Sequence, residues 1–187
     1  SPANLVSDLY AVTGDILHKK GEEQEAFAAY DSCLQWKDDN VMALNNYAYY
    51  LSEKGVDLHK AESMSYKTIK AEPNNGTYLD TYAWILFMEE RYADAKTYID
   101  QALKNRDSTA DNSTVLEHAG DIYYMNGMTD ESVDFWKKAY TGENQTEVLA
   151  WKIKNRQYIT EEELKKRNAP KQKPAATKKS VRKGKKK

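Results

Sequence analysis

Cysteine is nearly missing from this chain: Cys33 is the single one among 187 residues, so no disulfide closes within it. Cys33 falls among Ala29, Tyr30 and Leu34, which reads as a small buried hydrophobe and not a reactive thiol. Histidine is almost as scarce. His18, His59 and His118 lie far apart, none at metal-ligand spacing. No glycine-rich phosphate cradle and no nucleophile elbow are present. These absences predict no metal, no cofactor and no catalytic residues, hence a chain that is not an enzyme. No run approaches the roughly 18 apolar residues that span a bilayer, and no signal-peptide pattern appears. The opening Ser1-Pro2-Ala3-Asn4 reads as a turn between two units, which predicts a mature or excised piece with further repeats upstream. The last 24 residues lack acid altogether: all 29 acidic residues fall in 1–163, while 164–187 carries 12 of the 28 basic ones. A net charge of −1 therefore hides an acidic body and a basic tail.

Tyrosine is abundant, with 14 residues against three Phe, and four Trp accompany them. Such rings suit partly buried positions, having an apolar body and a polar tip. The chain also repeats itself. A small residue marks a first helix in four stretches, at Gly14, Ala48, Ala83 and Gly120, spaced 34, 35 and 37 apart. A second mark follows at Ala26, Ala61, Ala95 and Ser132, spaced 35, 34 and 37 apart. Two independent marks at one spacing indicate stacked helical pairs, each burying its apolar face on its neighbours. The first unit runs over 5–38, the second over 40–74, the third over 76–106 and the fourth over 113–141. A polar helix over 146–157 closes the array, where an outer face must meet water. Gly55 reads as a left-handed helix cap and Pro73 as a stop. Thr160 and Glu163 have the spacing of a capping box. Prolines, like charge and few apolar residues predict a disordered, Lys-rich tail over 159–187.

These marks resemble the tetratricopeptide repeat (TPR) family, over roughly residues 5–157. Gly14 and Gly120 supply the family's close-packing glycine, with Ala48 and Ala83 in its place elsewhere. Tyr30 and Trp136 match the second-helix aromatic, while Ser65 and Ile99 depart from it; Pro73 alone matches the closing proline. The run Tyr78 to Phe87 is similar to bacterial members, often envelope-associated. The resemblance implies an all-α, right-handed superhelix of about four helix-turn-helix units whose first helices line a concave groove. It places Asp15, Asn45, Tyr49, Asp80, Trp84, Phe87, Met88, Glu117, Asp121 and Tyr124 on that groove. Carboxylates beside aromatic faces suit a peptide carrying Lys or Arg. The acidic chaperone-tail clamp of some members is disfavoured, since Ala11 and Asp15 stand where it needs Lys and Asn.

The function implied is a non-catalytic scaffold that holds a peptide or partner protein. The alternative is a tether to nucleic acid or another anionic surface through Lys178, Lys179, Arg182, Lys183, Lys185, Lys186 and Lys187. The tail lacks aromatics to stack on bases, so only non-specific attraction is predicted there. Tail and acidic body also suit one another, within one molecule or between two, which would give self-association. The tail resembles a bipartite nuclear import signal, but the bacterial likeness favours the periplasmic side of the envelope or the cytoplasm over the nucleus.

Overall fold

The computed structural model describes residues 1–171; Lys178, Lys179, Arg182, Lys183, Lys185, Lys186 and Lys187 lie outside them. The described residues form helices and turns: α1 (Pro2–Lys19), α2 (Glu23–Trp36), α3 (Val41–Lys54), α4 (Leu58–Ala71), α5 (Gly76–Met88), α6 (Tyr92–Asn105), α7 (Ser113–Met125), α8 (Thr129–Ala139), α9 (Glu147–Asn155) and α10 (Glu161–Asn168), with one 3₁₀ turn at Gly142–Asn144. None of these helices is long and apolar enough to cross a membrane.

Local chemistry sets the boundaries. Asn40 and Asn75 accept the backbone N–H of Ala43 and Tyr78 at 3.2 Å, each satisfying a donor that its helix start leaves free. Gly55 ends α3 at φ 68°, a left-handed conformation that costs glycine little. Thr160 and Glu163 complete a reciprocal capping box at 3.1 and 3.0 Å.

Helices pack as α1 on α2, α3 on α4, α5 on α6 and α7 on α8. The glycine mark has a direct cause. A Cβ at Gly14 would lie 2.7 Å from the Tyr30 ring, and one at Gly120 would lie 2.3 Å from Trp136. Both rings are fully buried. The unit carrying Trp136 therefore needs glycine opposite, whereas units with Ser65 or Ile99 carry Ala48 and Ala83.

Each first helix also docks on the unit before it: α3 on α2, α5 on α4 and α7 on α6. Successive first helices touch, α3 on α5 and α5 on α7, and no pair of successive second helices packs comparably. The array thus closes up along its first helices and opens along its second ones.

The far end corrects the sequence reading in two places. Residues 158–168 are built into the fold: Ile159 and Leu164 are buried and α10 is formed. The charge of 164–187 masked this short apolar set. Lys152, read as part of a water-facing surface on α9, is 2% exposed and points inward.

Candidate functional site

The first helices α3, α5 and α7 form one wall of a cavity of about 440 Å³; α9 and residues 158–161 close its end. Trp84 of α5 is half-buried there. Its ring stacks on His118 of α7 at 4.1 Å between centroids and 16° between planes, and on Phe87 at 4.7 Å. Tyr49 of α3 also approaches His118, at 6.0 Å between ring centroids. Trp84 and Tyr49 share register with Asp15 and Asp121, one position past the small-residue mark. Helical spacing therefore turns all four toward the first-helix side.

Polar groups hold this wall in place. His118 Nδ1 is 2.8 Å from the Asp80 carboxylate. Burial opposes a charge on the imidazole, but Asp80, with Asp121 and Glu117 further off, outweighs it and raises its pKa. Lys152 donates to Asp121 at 2.8 Å and to Glu117 at 2.9 Å. Burial disfavours its ammonium, yet two carboxylates hold it protonated. Asp121 also accepts from the Trp136 indole at 2.9 Å, and burial pushes its carboxyl up. Burial, with Glu53 and Asp80 nearby, pushes the Tyr49 phenol up as well.

A second cavity of about 530 Å³ adjoins the first and shares Tyr49 and Thr114 with it. Asparagines dominate its wall. Asn46 donates to Asp15 at 3.0 Å, and Asn45 donates to the Asn46 oxygen at 3.3 Å. The acceptor-only carboxylate of Asp15 fixes the direction of both amides. The chain ends on the Asn45 side-chain oxygen, which is buried and meets no donor.

Of the residues assigned to the groove, Tyr49, Trp84, Met88, Glu117 and Asp121 line the first cavity, and Asn45, Tyr49 and Asp80 line the second. Phe87 is placed elsewhere: it is buried in the core against Tyr92 and Tyr158. Tyr124 packs on Trp136 at 5.9 Å. Asp15 is taken up by Tyr30 and Asn46. Sequence reasoning missed His118 and Lys152. His118 shares register with Asn46 and Thr81, polar residues turned toward the preceding unit, and that was the signal available. Lys152 carried none, because its inward aim depends on how α9 docks. Among the described residues no three metal-ligating side chains come together.

No family model matches the chain. Over 66 residues it is 35% identical to a TPR repeat-containing protein of Pseudomonas aeruginosa, which covers 35% of this chain and 11% of that protein's length. The structure of pilF from the same organism aligns with a TM-score of 0.69 at 16% identity, over 83% of this chain and 69% of that one. The present fold is a tetratricopeptide-repeat array. YrrB, described as a TPR protein with an unusual peptide-binding site, aligns with a TM-score of 0.56 at 18% identity, over 79% of this chain and 74% of that one. In a TPR array the first helices line the inner surface, and the two cavities lie on that side.

Proposed function

We propose that this TPR array is a non-catalytic interaction module that holds an extended peptide, or an extended segment of a partner protein, along α3, α5 and α7. One observation carries the reading: Trp84, half-buried and backed by His118, forms the wall of an open cavity. An aromatic ring already fixed by stacking loses little rotamer freedom on binding, and such rings dominate interface energies. Tyr49, Met88 and Glu53 add a ring, a soft thioether and a charge around the same opening. The likeness to YrrB supports a peptide as occupant. Two adjoining cavities that share Tyr49 suit a ligand longer than a single side chain.

Screening the full chain against an immobilised array of short peptides tests this. Capture is expected from peptides that place a Lys or Arg near an apolar residue. Trp84→Ala combined with Tyr49→Ala should weaken it at least about tenfold, on the order of 1.4 kcal/mol or more. Capture that survives the double substitution would place the binding surface elsewhere on the molecule.

A further inference from the structure

Resting on the groove reading, the geometry points to a specific occupant: we propose that residues 172–187, the basic end of this same chain, dock in the groove and compete with outside ligands. Charge is the first argument. Glu53, Glu117 and Asp121 line the groove cavity against one ammonium, that of Lys152, while Glu161 at its edge is paired with Lys165. Lys152 is shared between Glu117 and Asp121, so the excess of negative charge remains. Residues 172–187 hold eight Lys and Arg and no acid.

Position is the second argument. Asn168 and Ala169 line a small cavity together with Val148 and Glu161, and those same two residues line the groove cavity. The chain thus leaves α10 beside a cavity that adjoins the groove cavity. Sixteen residues span at most about 55 Å when extended, several times the length of the eight-residue α10 at about 12 Å. The segment reaches both cavities without strain.

Contact area for a long basic side chain is present. Trp84 and Tyr49 line the cavity beside these carboxylates, so the apolar stem of a Lys or Arg can lie along the rings with its head at the charges. Tethering removes the need for strong contacts. A short link holds the segment at an effective concentration on the order of millimolar, so an intrinsic Kd near 100 μM fills most grooves.

The test uses a fluorescent synthetic peptide of residues 172–187 and two forms of the full chain. One is native; in the other the eight basic residues of 172–187 are replaced by Gln. The peptide should bind the Gln form about tenfold tighter than the native chain at low salt, and added salt should weaken that binding. On the Gln form, Trp84→Ala or Glu53→Lys should remove it. Glu53 is exposed on the end of α3, so its reversal leaves the core intact. Equal affinity for the native and Gln forms overturns docking within one chain. Peptide binding indifferent to both Trp84→Ala and Glu53→Lys overturns the groove as its site. If other peptides are captured through Trp84 while the tail peptide binds neither form, this proposal fails and the groove reading stands. If no peptide is captured through Trp84, both fail.

Discussion

At the first helix of the array, Leu9, Val12 and Ile16 stand 59%, 49% and 51% exposed, whereas the register mates of Ile16 in α5 and α7, Ile85 and Ile122, are fully covered. The same sequence position is surface in one unit and core in two others. What differs is the neighbour: α5 and α7 dock on α4 and α6, while the outer face of α1 meets solvent. The opposite end is built otherwise. There α9 packs on α8, and on α10 Glu161 and Lys165, and Glu162 and Lys166, are paired at 2.8 Å. Lys152 points inward from the same end. One end leaves apolar side chains exposed, and the other carries charged pairs outside a buried ion cluster. Burial in a repeat array is thus set by neighbours more than by composition.

The largest expected effect lies at the finished end. Lys152→Met removes one cation from between two carboxylates and leaves Asp121, bonded to Trp136 and 4% exposed, without compensation. Breaking a buried pair from one side costs about 3–5 kcal/mol. Urea unfolding should show a loss of that size, together with loss of hydrogen-exchange protection in α7, α8 and α9. A triple replacement with Glu117→Gln and Asp121→Asn should recover part of it. A loss under about 1 kcal/mol for Lys152→Met alone would mean that the cluster is solvated in solution.

A substitution made twice sharpens the contrast between ends. Ile122→Ala opens a hole between α7 and the units around it and should cost about 2–5 kcal/mol. Ile16→Ala, at the equivalent position of α1, should change stability by no more than about 0.5 kcal/mol, because its side chain already meets water. Equal losses would show that the face of α1 is covered in solution. In that case the difference in burial between the two ends would vanish.

Much of this was legible in the residues. The small-residue marks gave the hairpins, since Gly14 and Gly120 are opposed to rings that leave no room for a Cβ. Helix ends at Gly55 and Thr160 follow rules only a few residues long. The groove was legible by halves. Tyr49 and Trp84 were placed on the groove by the resemblance, and both line its cavity, one position past the small-residue mark. Phe87 was misplaced because three residues further along the helix turn it from the inner surface to the core, beside Tyr158. Tyr158, Ile159 and Leu164 are apolar residues scattered among charges, and only the closing of the last unit gives them a place. Lys152 depends on the docking angle of α9, which no local pattern encodes.

The smallest effect expected is a pH slope, and it separates the groove wall from both ends. His118 faces Asp80 from α5, with Glu117 and Asp121 on its own helix, Lys152 from α9 bonded to those carboxylates, and the Trp84 and Tyr49 rings nearby. Its folded-state pKa is raised above the usual value near 6.5 because the carboxylates outweigh burial. Below about pH 6.5 the proton is held in both folded and unfolded chains, and the favourable contact with Asp80 contributes in full. As pH rises through the raised value the folded chain releases its proton and that contribution disappears. Stability should therefore decline with rising pH from about 6.5 upward, and His118→Gln should flatten the decline. Denaturation midpoints across this range decide it. A slope that survives in His118→Gln would assign the titration to another group and leave the Asp80 contact as a neutral hydrogen bond, holding Trp84 by geometry alone.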